Sequence, residues 1–163
     1  MSNSSNSTAS EAEVPFPNEG RLLGLDPGEK RIGVAISTYE QNIASPLETF
    51  TRHGPGPDAD YFRHLVKDYM VVGLVVGLPV HMSGDEGEQA RRARELGDWL
   101  SELLDLPVRY HDERFTSAMA EEHLQSVSMT SKQRKARRDK LAAMYMLQSF
   151  LEAPDRDATP GAM

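Results

Sequence analysis

RLLGLDPGEKRIGVAIST, residues 21–38, sets two short apolar runs around one turn. Arg21–Asp26 is apolar and ends in an acid, and Arg31–Thr38 is β-branched with small residues. Both read as strands, and Asp26-Pro27-Gly28-Glu29-Lys30 reads as the hairpin between them. Working outward, Ala44–Thr51 is a third strand, and His53-Gly54-Pro55-Gly56-Pro57 breaks the chain. Tyr61, Phe62, Leu65, Val66 and Tyr69 then recur at helical spacing, which predicts a helix over Asp58–Tyr69 with Asp58 as its N-cap. Val71–Leu78 (VVGLVVGL) is apolar on both faces, as a central parallel strand requires. A helix over Gly84–Leu104, a fifth strand over Pro107–Asp112 and helices over Ser117–Ser126 and Arg134–Leu151 complete the pattern. The order β-β-β-α-β-α-β-α-α predicts an α/β fold, a mixed five-stranded sheet with helices on both faces.

The chain of 163 residues is long enough for one domain with a sizeable core, and too short for two substrate-closing domains. With no cysteine, disulfide scaffolds, thiolate-bound zinc and thiol nucleophiles are excluded. The longest apolar run, Met70–Val80, is broken by Gly73, Gly77 and Pro79 and is too short to span a bilayer. A cytoplasmic protein without membrane contact is the expectation. The net charge of −7 argues at first sight against nucleic acid. Its distribution removes that objection. Residues 1–20, rich in Ser and Asn, read as a disordered tail, and 152–163 as a flexible one. Those tails hold most of the excess acid, and the intervening domain, residues 21–151, is close to neutral.

In open sheets of this kind the site lies beyond the carboxyl ends of the strands. Asp26 ends the first strand, and Asp112 and Glu113 end the fifth. Asp139 shares a helical stripe with Ala142, Ala143, Met146 and Phe150, so it points towards the buried face, which is costly without a compensating cation. Acids from distant segments on one sheet edge fit a hard-cation site for Mg2+ or Mn2+. Two such ions about 4 Å apart activate a water and stabilise the leaving oxygen of a phosphodiester. Taken singly, each acid has a plainer explanation. Asp26 suits a turn, Glu113 a surface pair with Arg114, and Asp139 a pair with Lys135 one helical turn away. Lys132-Gln133-Arg134-Lys135-Ala136-Arg137-Arg138-Asp139-Lys140 carries six cations and one acid in nine residues. Cations at a helix start oppose the macrodipole, so this run invites an external phosphate. The five histidines lack metal-ligand spacing, and Trp99 reads as a helix-packing residue.

Four blocks together resemble the YqgF family, also called RuvX, of ribonuclease H-like nucleases. They are LGLDPGEKRIGVAIS at 23–37, VVGLPVHMSGDEG at 75–87, HDERFTSAMAEEHL at 111–124 and RRDKLAAMYMLQSFLE at 137–152. The resemblance implies a ribonuclease H-like fold and a divalent-metal site of two ions, Mg2+ or Mn2+. It carries over Asp26, Glu113 and Asp139 as catalytic and metal-holding acids, with Asp112 as a fourth candidate. It also implies 5′-end processing of pre-16S ribosomal RNA. Holliday-junction resolution of branched DNA is the alternative. Gly77-Leu78-Pro79 stands where RuvC-like resolvases carry an acid at the end of strand four, which disfavours that alternative and puts Glu113 in the missing role.

Structured RNA is therefore the expected partner. Lys30, Arg31, Arg114, Lys132, Arg134, Lys135, Arg137 and Arg138 are the expected backbone-holding residues. Either a monomer or a homodimer is compatible with the sequence. Two further readings compete. One is a non-catalytic nucleic-acid-binding module on the same fold. The other is a phosphate-binding ATPase suggested by Asp26-x-Gly28 with Gly33, for which the chain lacks a second domain.

Overall fold

The computed structural model describes residues 15–79, 87–112, 130–154 and 156, with the backbone alone for Lys132. Its strands are β1 (Arg21–Pro27), β2 (Arg31–Ser37), β3 (Ala44–Thr51), β4 (Val71–Leu78) and β5 (Val108–Asp112). Its helices are α1 (Pro55–Tyr69), α2 (Glu88–Leu104) and α3 (Ser131–Glu152). The helix expected over 117–126 and the first residues of the one expected from 84 lie outside the described residues.

The sheet runs β3-β2-β1-β4-β5. β1 pairs antiparallel with β2, and β2 with β3, as the turn at 26–30 requires. β4 lies parallel to both β1 and β5, each joined through a helix, as parallel pairs demand. The mixed five-stranded α/β sheet expected from the sequence is present.

Strand alternation divides the sheet into two apolar faces. Leu23, Leu25, Val34, Leu74 and Val76 face α1 and α2, meeting Phe62, Leu96 and Leu100. Leu22, Ala35 and Val75 face α3, meeting Ala143, Met146, Leu147 and Phe150. Each fully buried Leu or Phe here contributes about 1.5–3 kcal/mol relative to exposure. Helices therefore cover both faces. Among the described residues no helix is long and apolar enough to cross a membrane.

Two helix starts differ from expectation. α1 begins at Pro55, with Gly54 as its N-cap, so the Gly-Pro run opens the helix and does not merely precede it. Proline suits a first turn because its missing N–H would have no helical partner there. Asp58, expected as the cap, sits inside that first turn and is buried. It accepts hydrogen bonds from the His53 backbone N–H (2.9 Å) and Arg52 Nε (3.3 Å). α3 begins earlier than Arg134, capped by Thr130. Thr130 Oγ1 accepts from the Gln133 N–H (3.1 Å), while Gln133 Oε1 accepts from the Thr130 N–H (3.0 Å).

The packed part extends beyond residues 21 and 151. Phe16 meets Phe150 edge-on at 5.7 Å, and the Arg109 guanidinium lies over its ring at 5.0 Å. Buried Gln41 ties both ends of the chain together. Its Nε2 donates to the carbonyls of Pro17 (3.2 Å) and Gly20 (3.0 Å), and its Oε1 accepts from Arg156 (2.7 Å).

Candidate functional site

Asp26 is placed by alternation. Leu22 and Gly24 of β1 meet α3, so Asp26, two residues on, falls on the same side at the strand's carboxyl end. Its partner across the β1–β2 ladder is Gly33. Continuing the β1–β4 register beyond Leu25 and Val76 sets Asp26 beside Gly77, which itself pairs with His111 of β5. Asp26 is thus flanked by two residues without side chains.

Asp139 comes from the third turn of α3. The backbone of α3 descends onto Gly33 so closely that a Cβ there would lie 1.9 Å from the Asp139 carbonyl oxygen. The Thr49 hydroxyl of β3 donates to the Ala136 carbonyl one turn earlier, fastening the same stretch to the sheet. Asp139 is half-buried, and the cation it requires comes from β2. Arg31 Nε donates to Asp139 Oδ2 at 2.7 Å. The in-helix pairing with Lys135 considered from the sequence is replaced by this contact across 108 residues of chain.

Asp26 and Asp139 line one open pocket of about 350 Å3, together with Lys30, Arg31, Lys135 and the Pro27-Gly28-Glu29 turn. Three acids and three cations balance within it. Arg31, expected to meet phosphate, spends its Nε on Asp139. Of the basic run on α3, Lys135 lines the pocket, while Arg134, Arg137 and Arg138 lie elsewhere on the helix.

Strand five places His111 and Asp112 on opposite faces of the sheet. His111 is on the α3 side, edge-on to Phe150 at 5.7 Å and hydrogen-bonded through Nε2 to Ser149 Oγ at 3.0 Å. Burial holds its pKa below the ordinary imidazole value, against an opposite pull from the Asp112 charge. Asp112 alternates to the side of α1 and α2, away from Asp26 and Asp139. Glu113 and Arg114 lie outside the described residues, as does the Lys132 side chain. Among the described residues no three His, Asp or Glu side chains gather as a metal-holding cluster. The two carboxylates present are hard oxygen donors in an open, polar pocket, which suits Mg2+ or Mn2+ in kind.

Sequence reasoning missed Gly33 as a determinant of this site. A glycine inside a strand pattern is the signal of close backbone approach.

The sequence profile of the RuvX family, described as Holliday junction resolvase, matches residues 20–153. A protein of Rhodopirellula baltica named "Putative pre-16S rRNA nuclease" is 42% identical over 146 residues, 90% of this chain and 84% of the relative. One of Gloeobacter violaceus with the same name is 44% identical over 131 residues, 80% of this chain and 83% of the relative. Among solved structures, the yeast mitochondrial Holliday junction resolvase is similar with a TM-score of 0.48 and 13% identity, over 93% of this chain and 85% of that one. Thermus thermophilus RuvC is similar with a TM-score of 0.45 and 14% identity, over 77% and 93%. The profile match spans both strands that carry the site and the helix that closes it, the two bacterial relatives are 42% and 44% identical over most of the chain, and the chain belongs to the RuvX family.

Proposed function

We propose that this chain is a divalent-metal-dependent nuclease that hydrolyses phosphodiester bonds in structured RNA, with 5′-end processing of pre-16S rRNA as its role. The carrying observation is the shared pocket of Asp26 and Asp139, edged by Lys30 and Lys135. The names of the bacterial relatives support the RNA substrate.

Asp26 and Asp139 would hold the metal, with Glu113 as the third acid. The opposite-face position of Asp112 supports Glu113 over it. Mg2+ or Mn2+, as one ion or two, supplies an activated water and neutralises charge on the leaving oxygen when bound. The chain's own residues prepare for this. Gly33 lets the α3 backbone close onto the sheet beside Asp26, and the Arg31 guanidinium holds the Asp139 carboxylate in orientation. The pocket is neutral by count without metal, so a divalent ion makes it positive and favourable to a phosphate. Lys30 and Lys135 then grip backbone phosphates on either side.

The test is cleavage of precursor 16S RNA and of a four-way DNA junction in Mn2+, by wild type, Asp26→Asn and Asp139→Asn. RNA cleavage lost in both variants, with unchanged circular dichroism, is the expected result. Undiminished cleavage by Asp26→Asn overturns the site. Cleavage of the junction alone moves the function to branched DNA, in line with the family's description. RNA binding with neither metal uptake nor cleavage leaves a non-catalytic module.

A further inference from the structure

The Asp26–Lys30 hairpin has a cavity on each side. Its second cavity, about 300 Å3, lies towards α2 and shares only Pro27, Gly28 and Glu29 with the acid pocket. The dividing wall is a single turn. The Gly28 N–H donates to the Arg31 carbonyl at 2.7 Å, and a Cβ on Gly28 would stand 2.9 Å from that oxygen. The inner lining is apolar, made by Ala93, Leu96 and the half-buried indole of Trp99. The rim is polar. Arg52 and Arg92 are offset by Glu29 and Glu95, and Gln89 adds an amide with both donors and an acceptor. Arg52 is fixed in place by its Nε contact with buried Asp58, and Arg92 pairs with Glu29 at 3.7 Å.

We propose that this second cavity receives one unpaired nucleobase of the nucleic-acid strand whose phosphate occupies the acid pocket. The inference rests on the nuclease reading and adds to it a base-binding site. Charge separates the two cavities' tasks. Two cations against two acids give the second cavity no net attraction for phosphate, whereas its indole and aliphatic floor offer surface to an uncharged ring. The rim supplies hydrogen-bonding groups of both kinds for the ring's edge. A base next to a backbone phosphate needs a site one turn away from that phosphate, and the shared turn provides that spacing. Base–aromatic contact of this kind is tolerant of base identity, with rim hydrogen bonds adding preference.

Trp99 is the only tryptophan of the chain, so its emission reports on this cavity alone. The full chain is titrated, without added metal, with adenosine 5′-monophosphate, uridine 5′-monophosphate and ribose 5-phosphate. Saturable change in Trp99 emission with either nucleotide and none with ribose 5-phosphate is the expected result. Gln89→Phe, at an exposed position, should block the cavity and weaken the response about tenfold or more. An absent response, an equal response to ribose 5-phosphate, or an unweakened one in folded Gln89→Phe overturns the proposal. Because the readout needs no cleavage, its failure is distinct from failure of the nuclease reading.

Discussion

Gly33 of β2 lies directly against the backbone of Asp139 in α3, with 1.9 Å between the position of an added Cβ and the Asp139 carbonyl oxygen. Gly33 is also the ladder partner of Asp26. One residue without a side chain therefore fixes how near the two acids come. Gly33→Ala must push α3 outward, since the obstacle is backbone and not a flexible side-chain tip. The expected cost is about 1–3 kcal/mol of stability, the usual range for overpacking. Mn2+ affinity should fall with it, because the donors separate. Thermal unfolding and calorimetric Mn2+ titration check both, and an unchanged Mn2+ affinity would show that the two acids do not act as one site.

Arg31 and Asp139 form a part-buried pair, with side-chain exposures of 31% and 24%. A double-mutant cycle with Arg31→Ala and Asp139→Ala should give a coupling of about 1–2 kcal/mol in chelated buffer, between the values for exposed and buried pairs. Saturating Mn2+ should reduce that coupling, since the ion competes for the same carboxylate. Coupling that stays constant through the Mn2+ titration would mean that the oxygen held by Arg31 is not offered to metal.

What the sequence made legible was local. VVGLVVGL announces a strand covered on both faces, and the Asp26–Lys30 turn announces antiparallel pairing. Asp139 on an apolar stripe announces a buried-side acid that needs a cation. The identity of that cation was hidden, because Arg31 is 108 residues away and only the sheet brings it there. Asp112, the fourth candidate, has no face in the sequence alone, since alternation assigns one only once a neighbouring residue of the strand is anchored. The start of α1 was misplaced because Pro55 and Pro57 mark both chain breaks and first helical turns. The basic run does not mark the start of α3, because the reciprocal bonds of Thr130 and Gln133 set that boundary ahead of it.

That boundary has a measurable consequence. The Thr130–Gln133 box satisfies N–H groups at the end of α3 where cations already oppose the macrodipole. Thr130→Ala should cost about 1 kcal/mol in urea unfolding. It should also fray the turn that presents Lys135, and so weaken RNA binding at low salt more than at high salt. Thr130→Ser, which retains the accepting oxygen, should restore most of both. A Thr130→Ala protein with wild-type stability would show that the cap contributes nothing.

Tyr61 provides a pH dependence away from the acid pocket. Its hydroxyl donates to the Glu48 carboxylate, and its ring stacks on Phe50 with centroids 3.8 Å apart and planes at 12°. Burial, then the hydrogen bond to Glu48 and its charge, push the phenol well above its ordinary pKa. The folded state therefore keeps this proton after the unfolded chain has begun to lose it. The stabilisation is complete below the unfolded pKa of about 10 and is lost as pH rises above it. Tyr61→Phe keeps the stack and removes the phenol, at a cost of about 1 kcal/mol at neutral pH. The stability difference between wild type and Tyr61→Phe should hold constant through the neutral range and shrink as pH climbs past about 10. Urea unfolding of both proteins across that range checks the sign, and a difference that widens with alkali would mean that the Glu48 contact does not hold the phenolic proton.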